Sequence, residues 1–182
     1  MRIAILGRGN VGGGLARLWE KAGHEVVAFG RQGGDPSSAE IVVVAVPSDS
    51  LDDAFSKVTG FEGKMTIDAT NAFAGRDESH PSFAHQVKSI TSGPVAKAFN
   101  LNFAAAYEDV AAQRVRPDQV WCGDPEARQV TEQLIRDAGY EPVAAGGLEN
   151  ARALEDFVMP FAAASTDAGA PIFYRFARPG EL

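Results

Sequence analysis

At 182 residues, with a formal charge of −7 and a pI near 4.9, the chain is long enough to fold as one domain that removes roughly 70% of its unfolded surface from water. Its acidity argues against nucleic acid or an anionic membrane face as the main partner, so any phosphate must be held locally by a few well placed groups. A single cysteine, Cys122, excludes an internal disulfide; the longest apolar run, Ile41 to Val46, is far short of the ~20 residues needed to cross a bilayer, and no basic-then-apolar leader precedes the first strand, so cytoplasmic residence is expected.

In chain order, Arg2–Leu6 reads as a strand and Val11–Ala22 as the helix that follows a glycine-rich loop. Glu25–Phe29 and Ile41–Val46 are the next strands, the second so continuously apolar that it suits a position covered on both faces, as in a parallel sheet. Between them lies only "QGGDPSSAE", too short and too rich in Gly, Pro and Ser for a crossover helix; one helical turn at most, after Pro36, is predicted. A helix over Asp49–Val58, a strand over Met65–Ala69, a helix over Pro81–Lys88 and a strand over Val95–Phe99 follow. Then come a strand over Val120–Cys122, a helix over Pro125–Ala138, a strand over Pro142–Ala145 and a helix over Leu148–Met159. The helix after Asp124 is the best marked, with Asp124 as N-cap, Pro125 at its first position, Val130, Leu134, Ile135 and Ala138 on one face, and Gly139 as the stop. This alternation predicts an α/β fold: a Rossmann-type, doubly wound, mainly parallel sheet with right-handed crossovers and a reduced second crossover helix. Residues 1–182 are expected to form a single dinucleotide-binding domain, with 160–182 as a C-terminal tail or dimerisation segment.

The glycine loop carries the first chemical signal. "ILGRGNVGGGLARLW" holds five glycines, of which Gly7, Gly9 and Gly12 match the G-x-G-x-x-G spacing between a strand and a helix, the context in which that spacing binds a dinucleotide. Gly7 permits the turn, Gly9 lets a pyrophosphate approach the main chain, and Gly12 lets the helix pack on the strand. Arg8, Asn10 and Val11 complete the loop and the first helical turn, whose N–H groups and positive partial charge face the diphosphate. Gly13 and Gly14 are read only as allowing close packing.

The end of the second strand decides which dinucleotide. An Asp or Glu there would hold the ribose hydroxyls of NAD, whereas an arginine accommodates the 2′-phosphate of NADP. The residue is Arg31, no carboxylate follows before Asp35, and Arg8 lies within the loop as a second cation for the same group. NADP(H) is therefore the expected cofactor. At the remaining strand ends, Ala45, Val46 and Pro47 are placed beside the ribose, while Asn71 and Asn100 offer amides to a carboxamide or carbonyl, or serve only as turn residues.

"GRGNVGGGLARLWEKAGHEVVAFGR", "VVVAVP", "IDATNAF", "VAKAFN" and "GGLENARALE", in this order, make the chain from Met1 to about Met159 similar to the NADPH-dependent oxidoreductases of the deazaflavin coenzyme F-420 and the related dinucleotide-binding reductases. The resemblance implies a Rossmann fold, NADP(H) along the Gly7–Gly12 loop and Arg31, and hydride exchange with coenzyme F-420 or another flavin-like ring. The chain departs from the family in placing Gly30 where a serine or threonine commonly precedes the phosphate-reading arginine, in largely lacking the helix between the second and third strands, and in its C-terminal segment.

Hydride transfer between a nicotinamide and a flavin-like ring needs stacking rather than an acid–base dyad, and no catalytic residue is assigned. A Tyr-x-x-x-Lys pair for carbonyl reduction is absent, since Tyr107, Tyr140 and Tyr174 lack the lysine. His24, His80 and His85 lack metal-ligand spacing, so no metal site is expected, and Cys122 reads as a buried, inert thiol. Two functions from different classes stay open: a reductase with a small-molecule redox acceptor, and a non-catalytic NADP(H)-binding sensor or partner module. A third, the cofactor domain of a 3-hydroxyacid or imine reductase, requires a long helical second domain that these residues do not hold. Phe173, Tyr174 and Phe176 near the terminus either cap the core or bury in a second copy, a homodimer.

Overall fold

The computed structural model describes residues 1–73, 75–76 and 78–180, so the last two residues of the predicted tail lie outside the described ones. Among the described residues one sheet of seven strands organises the chain: β1 (Arg2–Leu6), β2 (Glu25–Phe29), β3 (Ile41–Val44), β4 (Met65–Asp68), β5 (Val95–Lys97), β6 (Asp118–Gly123) and β7 (Glu141–Ala144), in the order β2-β1-β3-β4-β5-β6-β7. β1 to β5 pair in parallel. The helices are α1 (Asn10–Lys21), α2 (Leu51–Ser56), α3 (Phe83–Thr91), α4 (Arg128–Asp137) and α5 (Ala151–Asp167).

The two-residue alternation of the central strands feeds two cores. Ile3, Ile5 and Val43 point to one face, where Leu15 and Trp19 of α1 and Leu134 and Ile135 of α4 cover them. Leu6, Val42 and Val44 point to the other, against Phe55, Phe83 and Val87 of α2 and α3. Trp19 is fully buried and its indole N–H donates to Leu134 O at 2.9 Å, which satisfies the one polar atom that its burial would otherwise strand.

The predicted gap between β2 and β3 is as short as expected. A single turn closes it, with Ala39 N donating to Pro36 O at 2.8 Å, and no crossover helix covers β2, whose Val27 is half exposed. Order 2-1-3-4-5 places the reversal of winding between β1 and β3, the crevice in which open α/β sheets bind ligands.

Several expectations are corrected. β3 and β5 end two residues early, at Val44 and Lys97; after β5, Phe99 adopts a left-handed backbone with φ of 62°. β6 is longer than read and runs antiparallel to β5, with Lys97 opposite Cys122. The connection into β6 contains an unpredicted 3₁₀ segment, Ala104–Ala112, whose Tyr107 ring would lie 2.5 Å from a Cβ at Gly14; Gly14 is bare so that this segment can dock on α1. Asp124 precedes the fourth helix, but its carboxylate does not cap it. It accepts instead from Val95 N at 2.7 Å and Lys88 Nζ at 2.5 Å, joining α3 to β5. The last helix begins with a 3₁₀ turn, Leu148–Asn150, and α5 continues past Met159, through Pro160, to Asp167. Beyond it the chain folds back: Asp118 N donates to Tyr174 O at 3.0 Å, and Val120 N donates to the Tyr174 hydroxyl at 3.0 Å. Phe173 packs on the first core while Phe176 stays largely exposed. Among the described residues no helix is long and apolar enough to cross a membrane.

Candidate functional site

The loop from β1 to α1 is shaped by what its glycines omit. Gly7 has φ of +99°, and a Cβ there would lie 2.3 Å from Ala45 O. A Cβ at Gly12 would lie 1.8 Å from Gly7 O, so these two positions serve the fold. Gly9 differs, because a Cβ there meets nothing within 4 Å. The space above it is open, and Gly9 caps α1 with no side-chain hydrogen bond and no acidic residue in the first turn. The first N–H groups of α1, at Asn10, Val11 and Gly12, therefore keep the unpaired donors and positive partial charge of a helix start.

A cleft of about 580 Å³ opens at the carboxyl ends of β1, β2 and β3. Seven of the predicted site residues line it: Gly7, Arg8 and Gly9 from the loop, Arg31 from the end of β2, and Ala45, Val46 and Pro47 from the end of β3. Lys57 also lines it, but its ammonium is bound to Asp53 at 2.5 Å. Arg8 and Arg31 are exposed, and no hydrogen bond or ion pair engages either guanidinium among the described residues. In an acidic protein, two unpaired cations beside an uncapped helix start make a locally positive cleft.

Asn71 and Asn100 are brought together, away from that cleft. Asn71 Nδ2 donates to Asn100 O at 2.6 Å, and Asn100 Nδ2 donates to Asn71 Oδ1 at 3.0 Å and to Leu154 O at 3.0 Å. Asn100 Oδ1 is buried without a donor among the described residues. Asn100 follows Phe99, whose strained backbone turns the chain out of β5 and whose ring meets Trp19 edge-on at 5.5 Å.

Behind the asparagines lies a buried ionic cluster that the reading of the sequence misses. Lys97, paired in register with Asp68 across β5 and β4, is fully buried and places Nζ 2.8 Å from Asp68 Oδ2, 2.5 Å from Thr70 O and 3.1 Å from Glu155 Oε1 of α5. Glu155 also accepts from Phe83 N at 3.0 Å, at the start of α3, and from Arg76 Nη2 at 3.0 Å. Thus "IDATNAF", "VAKAFN" and "LENARALE" meet at one point. A detectable signal exists: "TIDAT" and "VAKAF" each carry one charge inside an apolar strand, of opposite sign.

Cys122 is fully buried beside this cluster, and burial pushes its thiol up to about 12, a rise that the Lys97 charge only partly offsets. His24 joins the chain start to α4 through Asp137 Oδ2 at 2.9 Å, and His85 bonds Ser82 at the start of α3. Among the described residues no cluster of His, Cys, Asp and Glu could hold a metal ion.

No family profile and no curated protein matches the chain. Solved structures do. A candidate F-420-dependent NADP reductase from Arthrobacter sp. FB24 superposes with a TM-score of 0.82 at 20% identity, over 97% of this chain and 99% of that one. A hypothetical protein from Sinorhizobium meliloti gives 0.64 at 25% identity, over 81% and 86%. A reductive aminase from Aspergillus terreus, solved with NADPH and ethyl levulinate, gives 0.64 at 13% identity, and this chain spans 62% of its length. The chain therefore has, over nearly its whole length, the Rossmann-type fold of the candidate F-420-dependent NADP reductase, a name that coincides with the family its motifs resemble.

Proposed function

We propose that residues 1–182 form an NADP(H)-binding unit that passes hydride between NADPH and a deazaflavin, such as coenzyme F-420, or another flavin-like acceptor. The observation that carries this reading is the cleft at the β1/β3 crevice, bounded by the open main chain at Gly9 and by the unpaired guanidinium groups of Arg8 and Arg31. The residues present fit the group: Gly9 leaves room for a diphosphate, the start of α1 supplies N–H donors, and Arg31 supplies a cation for a 2′-phosphate. Ala45, Val46 and Pro47 form the wall beside the ribose, and the Asn71–Asn100 pair marks the nicotinamide end. When bound, the dinucleotide supplies the hydride, and no side-chain acid or base is required for its exchange with a flavin-like ring. The chain's own contribution is to hold the two rings face to face and keep water out. The partner that this reading requires is a small-molecule redox acceptor.

One observation favours a second reading, an NADP(H)-binding sensor without catalysis. The amides of Asn71 and Asn100 are engaged with each other, so a ligand amide must displace that bond to use them. Loss of reduced-nicotinamide absorbance in the presence of deazaflavin, riboflavin phosphate or a ferric chelate distinguishes the two. Turnover with the deazaflavin is the expected result; tight NADPH binding with no turnover on any acceptor supports the sensor and removes the enzyme.

A further inference from the structure

Gly30, between the last residue of β2 and Arg31, is bare for a reason unlike those at Gly7 and Gly12. Its φ lies outside the left-handed region, so the backbone accepts any residue there. What excludes a side chain is an occupant: a Cβ at this position would lie 2.7 Å from Arg8 Nε, 3.1 Å from Arg8 Cζ and 3.2 Å from Arg8 Nη2. The guanidinium of Arg8, carried on a different loop, lies across the end of β2 in the space that a side chain at 30 would fill. Nearby Gly33 offers a contrast, with φ of +72° and a Cβ that would strike Lys57 O at 1.9 Å; there the main chain itself demands glycine.

Arg8 and Arg31 thus both line the cleft with no hydrogen-bond or ion-pair partner among the described residues, while the one carboxylate of its lining, Asp53, is engaged by Lys57. Two unengaged cations lining one cleft leave it open to an anion. A phosphomonoester, with about −1.5 to −2 charges at neutral pH and three acceptor oxygens, matches two guanidinium forks.

We propose that Gly30 and Arg8 are specificity-determining residues: by staying bare, Gly30 admits the Arg8 guanidinium beside Arg31, and the two arginines grip the phosphomonoester on the adenosine ribose of the cofactor. The inference rests on the reading that NADP(H) occupies the cleft. It accounts for the one departure from the resembled family at this spot, since the hydroxyl missing at position 30 is replaced by a whole cation. It also reverses a natural engineering intuition: restoring a side chain at 30, even the family's serine, weakens the subsite by evicting Arg8. Because the displaced atoms are the far end of a flexible side chain, the fold is unharmed.

Calorimetric titration of the full chain with adenosine 2′,5′-bisphosphate and, separately, 5′-AMP isolates the subsite. Wild type, Gly30→Ala, Arg8→Gln, the double variant and Arg31→Gln are compared, with melting curves to confirm folding. Gly30→Ala and Arg8→Gln should each weaken the bisphosphate by about tenfold, the effect of one charge-assisted hydrogen bond, and leave 5′-AMP unchanged. The double variant should be no weaker than Arg8→Gln alone. A neutral Gly30→Ala, or losses that multiply in the double variant, overturns the proposal while leaving the cofactor assignment standing, provided Arg31→Gln still weakens the bisphosphate. Equal weakening of both ligands by Arg8→Gln overturns it too, since Arg8 then serves the shared part of the nucleotide. If wild type binds both ligands alike and Arg31→Gln changes neither, the NADP reading itself fails.

Discussion

The edge of the sheet and its interior use charge in opposite ways. At the β2 edge, Arg8 and Arg31 stand exposed with no partner among the described residues, over a loop whose donors are uncapped. Where β4 and β5 pair inside the sheet, Lys97, Asp68 and Glu155 are fully buried, with Lys97 engaging both carboxylates, so their charges tie β4, β5, α3 and α5 together. An unpaired cation at the surface costs little and is available to a ligand; a buried cation survives only when every neighbour is in place. Binding capacity and architectural capacity therefore sit in different parts of the sheet.

The sharpest way to break this contrast is to remove one charge from the buried cluster. Lys97→Met strands two carboxylates in the interior and should cost about 3–5 kcal/mol of stability, read from urea unfolding; a variant as stable as wild type would show that the cluster is not structural. Next in size, Arg31→Ala should leave unfolding unchanged while weakening NADPH by about 1.5–3 kcal/mol, with NADH spared. Titration of both dinucleotides checks it, and an equal loss for the two would remove Arg31 from the phosphate subsite. Gly9→Ala sharpens the division within the loop. The fold has room for the methyl, so stability should change by less than about 1 kcal/mol, while a diphosphate lying on that main chain should bind at least about 1 kcal/mol more weakly. Smallest of all is the thiol. With its ionisation pushed up to about 12 by burial, Cys122 stays protonated across the neutral range, and a disulfide reagent at mildly alkaline pH should label it only after denaturation. Rapid labelling of the native protein would place the thiol at the surface.

The same division governs which features are legible in the amino-acid sequence alone. The glycine loop and Arg31 are legible because their requirement is local: a bare main chain after a strand, and a cation at the end of the next one. The parallel core is legible through the unbroken apolar run of β3, and the absent crossover helix through the composition of its nine-residue connection. The cluster is not, because residues 68, 97 and 155 are far apart in the chain and acquire meaning only when the register sets Asp68 beside Lys97. Asp124 misleads for a related reason. Its position suits an N-cap, but the N–H of Val95 and the Lys88 ammonium reach its carboxylate first. The antiparallel direction of β6 is hidden because "AAAYEDVAA" has neither a helical stripe nor a strand alternation, and the direction of the next strand depends on how it folds.

The missing helix over β2 has a kinetic corollary. Among the described residues this strand pairs with β1 alone and no helix covers one of its faces, so its amides belong to the part of the sheet that opens most readily to solvent exchange. Arg31 follows that strand. A cofactor spanning β1, β2 and β3 would act as a clasp on the loosest margin of the sheet, slowing hydrogen–deuterium exchange there far more than in the interior strands.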